Sequence, residues 1–144
     1  RAPIRYASVF ELERQQRTRL LVPFFFPDAL MWPPARIWLG PGAGRPVLLE
    51  FDRAGDGGLG LLLGQTLDGD YALPARLLPA PAALDPVPGA PAWPGGPSLQ
   101  KGRTADGHAF PQVSEVVEGR RVVLRWFGDD PVPLVRMARS LRRG

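Results

Sequence analysis

His108 is the only histidine among 144 residues and there is no cysteine, so groups able to serve as base, nucleophile or metal ligand are few. His108 lies in Thr-Ala-Asp-Gly-His-Ala-Phe, a turn-like setting. A nucleophilic triad would pair it with an acid and one of Ser8, Ser98, Ser114 or Ser140. A serine nucleophile sits on a sharp strand-to-helix turn between glycines, and no serine here has that surrounding. The absence of cysteine excludes a disulfide framework, a thiolate metal site and a cysteine nucleophile, while leaving the compartment open. Asp52, Asp56, Asp68 and Asp70 are the oxygen donors that a metal would use. Asp68-Gly-Asp70 has the start of a calcium loop without its other ligands or its closing glutamate, so these read as turn aspartates. The glycines of residues 55–60 follow a strand and lead into another strand, whereas a phosphate-binding loop leads into a helix. Arg103, Arg121 and Arg125 offer charge for nucleic acid, but the aromatic residues are not interleaved with them. The expectation is a chain that is not an enzyme, with no catalytic residues, no cofactor, no metal and no nucleic-acid partner.

Chemistry by adhesion is another matter. Residues 20–39 place Pro23, Pro27, Pro33 and Pro34 among Phe24, Phe25, Phe26, Trp32 and Trp38, with only Asp28 and Arg36 charged. Internal prolines remove backbone donors and clash with the preceding turn, so this segment is not a helix. It is too broken to span a bilayer and too apolar to lie free in water. It therefore reads as a stiff extended segment laid on something greasy. Either Phe24, Phe26, Met31 and Trp32 cap an open sheet face, or the segment is a contact surface for an apolar ligand, a lipid or a partner protein. The candidate apolar binding residues are Phe24, Phe25, Phe26, Met31, Trp32, Trp38 and Trp93.

The elements that would carry this surface are short. Ser8 with Glu11 forms a capping-box start for a helix ending near Arg17 or Thr18. Residues 20–22, 36–40, 46–52 and 59–65 read as strands, the last three joined by glycine turns as an antiparallel meander. Leu59, Leu61 and Leu63 alternate with small glycines, as one buried face requires. Residues 99–104, 113–117 and 121–127 follow as strands, the last two flanking Glu118-Gly119, a hairpin signal. Val122, Leu124 and Trp126 share one face there, and Arg121, Val123 and Arg125 the other. Asp130 as N-cap with Pro131 behind it opens a second helix, whose Leu134, Val135, Ala138 and Leu141 fall on one side. Between these runs, residues 74–97 hold eight prolines with Leu77, Leu78, Leu84 and Trp93 as apolar pegs. That stretch reads as a long proline-rich arm, either wrapped along the sheet or free.

The expected fold class is α+β: one domain over residues 1–144, with a single curved antiparallel sheet of about five to seven strands. A short N-terminal helix, a C-terminal helix and the arm complete it. Proline (18) and glycine (17) make up about a quarter of the chain, which favours short strands and long loops. The net charge of +4 comes almost wholly from arginine, scattered except for Arg136, Arg139, Arg142 and Arg143 near the end. The chain begins at Arg1, from which an upstream segment carrying any membrane anchor is expected.

Three pieces carry a family resemblance. They are Ser8-Val-Phe-Glu-Leu-Glu leading to Leu20-Leu-Val-Pro-Phe-Phe-Phe-Pro-Asp-Ala-Leu, and the pair Pro46-Val-Leu-Leu-Glu-Phe and Leu61-Leu-Leu-Gly-Gln65. The third is Gly119-Arg-Arg-Val-Val-Leu-Arg-Trp126, followed by Leu134-Val-Arg-Met-Ala-Arg-Ser-Leu141. Their order resembles bacterial extracytoplasmic domains of unknown function. Some of these are appended to anti-sigma-type regulators or related to outer-membrane lipoprotein-sorting proteins. The resemblance implies an envelope location, periplasmic or at the cell surface, beside a membrane anchor. It implies a half-barrel-like sheet and a non-enzymatic binding or regulatory role. The partner expected is a lipid or other apolar ligand, or an envelope or membrane protein. The alternative is an accessory subunit of a membrane complex, with residues 74–97 wrapping a neighbour.

Overall fold

The computed structural model describes residues 2–87 and 98–143 of the chain. Its elements run β1 (Ile4–Tyr6), α1 (Val9–Gln16), β2 (Leu21–Pro23), β3 (Arg36–Leu39), β4 (Pro46–Asp52), β5 (Leu59–Thr66), β6 (Ala83–Pro86), β7 (Ser98–Arg103), β8 (Ala109–Val117), β9 (Arg120–Trp126), α2 (Val132–Arg139) and β10 (Leu141–Arg143). The class is α+β. The main sheet has eight strands in the order β1-β3-β4-β5-β9-β8-β7-β6, and β2 leaves it to pair with β10 in a sheet of two. This corrects the expectation of one sheet with five to seven strands. The extra strands are β1, β6 and β10, three or four residues each. Such short pieces show no alternation, and pairing with a longer neighbour makes them strands.

Local chemistry explains the stronger elements. Ser8 caps α1, its Oγ accepting from the Glu11 N–H at 3.0 Å, and Arg17 closes the helix in a left-handed conformation. In the β8–β9 turn, Glu118 (φ 49°) and Gly119 (φ 77°) both take positive φ, the conformation that matches the twist of a two-residue hairpin. Residues 53–58 close the β4–β5 hairpin through Arg53 N–H to Gly58 C=O at 2.6 Å. The glycines there serve a turn between strands, as read from the sequence. For α2 the cap moves by one residue: Pro131 is the N-cap, and Asp130 Oδ1 accepts from the Val132 N–H at 3.0 Å.

Two meanders, β3-β4-β5 and β6-β7-β8-β9, join where β5 lies against β9, Leu63 opposite Leu124. This central pair is buried on both faces. On one face Val47, Leu49, Phe51, Leu61, Leu63, Val122, Leu124 and Trp126 form the main core with Leu12 of α1 and Leu134, Met137 and Ala138 of α2. On the other, Leu48, Leu62 and Val123 pack with Leu77 and Leu78 from the β5–β6 connection. Leu73 fills the space beside Gly64, where an added Cβ would lie 2.5 Å from its Cδ1 and the leucine would have to shift. Within the arm read at residues 74–97, residues 74–87 contribute these leucines and then the exposed strand β6. Residues 88–97 lie outside the described residues, and Trp93 with them.

Candidate functional site

The proline-aromatic segment bridges the two sheets. Its first residues form β2, antiparallel to β10 with Pro23 opposite Leu141, and its last form β3 in the main sheet. Between them residues 24–35 are a lip pinned at both ends. The Phe24 N–H donates to Ser140 C=O at 3.2 Å and the Phe25 N–H to Ser140 Oγ at 2.9 Å, fixing the lip to the end of α2. Farther on, the Met31 N–H donates to Asp52 C=O (2.9 Å) and the Ala35 N–H to Glu50 C=O (2.8 Å), and Leu30 bridges Arg53. The Trp32–Pro33 peptide is cis. The segment is non-helical, as its prolines require.

A buried amide holds β2 down. Gln65 of β5 is fully buried, its Oε1 accepting from the Leu21 N–H (2.8 Å) and its Nε2 donating to Leu21 C=O (2.9 Å). One side chain thus supplies both bonds of a missing strand neighbour. Arg120 does similar service just upstream, donating to Arg19 C=O (2.6 Å) and Thr18 Oγ1 (2.9 Å). Sequence reading singled out neither residue.

On this frame the aromatic rings split into anchored and presented groups. Phe26 stacks on buried Phe51 with centroids 5.6 Å apart and meets Trp32 edge-on at 5.6 Å. Trp32 also reaches Phe51 at 5.9 Å. Yet Trp32 remains 52% exposed, Phe24 55% and Met31 51%. Val22, Pro23, Phe24, Phe26 and Trp32 border a shallow groove of about 320 Å³. The rim is cationic: the Arg136 guanidinium lies 4.0 Å over the Phe25 ring and that of Arg142 4.8 Å over Phe24.

Of the seven predicted binding residues, Phe24, Phe25, Phe26, Met31 and Trp32 belong to this lip. Trp38 does not. It follows Ile37, a main-core residue, so strand alternation turns it to the opposite face, where it packs with the second cluster. Its Nε1 donates to Glu50 at 2.5 Å and the Arg5 guanidinium lies 5.6 Å from its ring. A hollow of about 460 Å³ opens there, lined by Trp38, Leu48, Leu59, Leu62 and Leu77 with Glu50 at its side. Glu50 is paired with Arg36 at 3.4 Å, so that hollow presents apolar walls without an unbalanced carboxylate.

The polar candidates have partners of their own. Asp52 meets Arg36 (2.6 Å), Asp56 meets Arg53 (2.9 Å), Asp68 meets Arg45 (2.6 Å) and Asp70 meets Arg121 (2.8 Å). Hydrogen bonds from Arg45 hold the Asp68 carboxyl below the usual range. Those from Arg53, then the Gly58 N–H, do the same for Asp56. Among the described residues no group of three or more His, Asp or Glu side chains is placed to hold a metal. His108 Nδ1 lies 3.0 Å from Asp106 Oδ2, both well exposed on a turn. Ser8 is the α1 cap, Ser114 Oγ accepts from Arg121 Nη1 (3.1 Å), and Ser140 Oγ donates to Met137 C=O (2.9 Å).

Two further groups are placed by the structure: Arg125, read from the sequence as a surface charge, and Glu115, which the sequence reading did not single out. Arg125 is buried, donating to Gln112 Oε1 and Pro79 C=O, each at 2.9 Å, and burial lowers its pKa. Glu115 lies on the core side of β8, opposite Val122, and its Oε1 is buried without a hydrogen-bond partner among the described residues. Desolvation pushes its carboxyl up to about 7. The alternation Val113, Glu115, Val117 was the available signal, since it puts the acid on the core face.

Comparison with family models, with curated proteins and with solved structures found no match.

Proposed function

We propose that this chain is a non-enzymatic binding or regulatory module of the cell envelope, tethered to a membrane outside the cytoplasm, that acts through its proline-aromatic lip. The observation that carries the reading is the half-exposure of Phe24, Met31 and Trp32 on a backbone fixed at both ends. A rigid segment loses little entropy when an apolar partner covers it. Large side chains left at the surface of an otherwise filled core mark a contact site. The location rests on the resemblance to extracytoplasmic domains. Among the described residues no helix is long and apolar enough to cross a membrane, so the tether lies elsewhere in this reading.

The test is the double change Phe24→Ser with Met31→Ser, which removes exposed apolar side chains, keeps every tryptophan as reporter and should leave the fold intact by circular dichroism. Wild-type protein should bind neutral dodecyl maltoside micelles carrying a brominated quencher, losing tryptophan fluorescence, and the variant should not. Equal quenching in both would remove the lip from the function.

A second reading has one observation in its favour. β6 is the outer strand of the main sheet and its residues are exposed, so among the described residues its outer edge has no strand partner. In an accessory subunit, residues 74–97 would wrap a neighbour along that edge. Cross-linking from Asp85 to a companion protein, unaffected by the lip variant, would favour it.

A further inference from the structure

From the lip's chemistry we infer a specific occupant, the anionic surface of a lipid bilayer; this rests on the lip being the binding surface. Away from the lip, Arg120 and Arg125 are buried on carbonyl and side-chain oxygens, and five further arginines are neutralised by acids. Arg36, Arg45, Arg53, Arg121 and Arg143 each meet an aspartate or glutamate within ion-pair distance. Arg136 and Arg142 are exposed and lie over the rings of Phe25 and Phe24 at the lip itself. Each guanidinium seated over a ring has no carboxylate among the described residues to neutralise it there, and its forked N–H donors suit a phosphate.

The apolar half of the surface matches. Phe24, Met31 and Trp32 stand half-exposed around the groove and its lip, at the depth where aromatic rings settle between headgroups and acyl chains. Cations beside such rings would lie at the phosphate level while the rings enter the interface. Asp28, the one carboxylate in residues 20–39, opposes this charge. A neutral apolar ligand would leave both arginines uncompensated, and the open groove offers it no enclosure.

Sedimentation with vesicles tests the assignment. Vesicles of phosphatidylcholine with about one third phosphatidylglycerol should retain the protein, those of phosphatidylcholine alone far less, and added salt should release it. Arg136→Gln with Arg142→Gln should weaken partitioning by about 30-fold, each charge near an anionic surface counting for roughly a factor of five. Asp28→Asn should strengthen it by a similar single factor of about five. The control pair Lys101→Gln with Arg103→Gln removes the same charge from β7 and should leave partitioning close to wild type. Equal binding to neutral and anionic vesicles, or equal losses in the control pair, overturns the proposal. Binding to neutral micelles through the lip without binding to anionic vesicles overturns it while the adhesive reading stands. Failure of both binding assays sinks both. Capture of an acidic protein in place of vesicles, abolished by the same arginine changes, would replace the bilayer with a protein partner.

Discussion

Replacing Glu115 by glutamine should raise stability above neutral pH and remove one specific slope from the pH profile. The carboxyl sits on the core face of β8 with one oxygen buried and unpartnered among the described residues, and burial moves it from the ordinary 4.5 to about 7. Between those values the folded chain keeps a proton that the unfolded chain releases. The Glu115 contribution is therefore flat below about pH 4.5, declines as pH rises toward 7, and is flat again above. Taken without solvent screening, that displacement is worth about 3.4 kcal/mol. Glu115 is only half-buried, so screening reduces this to about 1.5 kcal/mol. Asp56, Asp68 and Asp106 are held low by hydrogen bonds, and their contributions are lost only on the acid side of the ordinary carboxylate range. The window from about 4.5 to 7 is thus left to Glu115 among these shifted carboxyls. Urea unfolding of wild type and Glu115→Gln at a series of pH values reads the difference directly, because an offset from the amide cancels in the slope. A difference curve flat to within about 0.3 kcal/mol from pH 4.5 to pH 8 would refute the reasoning.

Two further changes test the frame. Gln65→Leu removes both partners of Leu21 and should cost about 2–4 kcal/mol in urea unfolding, with amide exchange at Leu21 and its β10 neighbours accelerated more than in β4. Gly119→Ala must hold a side chain at φ 77° and should lower stability by about 1–2 kcal/mol, read as a fall in midpoint without change in slope.

Much of the fold was legible because it follows from local patterns. The runs at 46–52, 59–65 and 121–127 alternate or cluster apolar residues between glycine turns, and each appears as a strand with bounds shifted by at most one residue. Ser8 read as a cap is one. Glu118-Gly119 read as a hairpin is one, since positive φ at both positions is what such a loop demands. In the candidate site, the grouping of Phe24, Phe26, Met31 and Trp32 was visible as composition, while Trp38 lies apart from them on the other sheet face. Counting aromatics along the chain ignores that one step in a strand reverses the face.

The sequence by itself determined that this chain folds as strands and two short helices, that residues 20–39 cannot be helical, and that bond-making groups are scarce. Those conclusions need only backbone sterics, period-two alternation and the identities of neighbouring residues. Only the tertiary structure decided that β5 lies against β9, that β2 pairs with β10 beyond 100 residues of intervening chain, and that Gln65 clasps Leu21. It also decided that Arg136 and Arg142 lie over Phe25 and Phe24 while Arg36 and Arg121 face carboxylates. Such contacts join residues far apart in sequence. Their free energy comes from burying groups against particular partners, and no local pattern specifies which partner will be there.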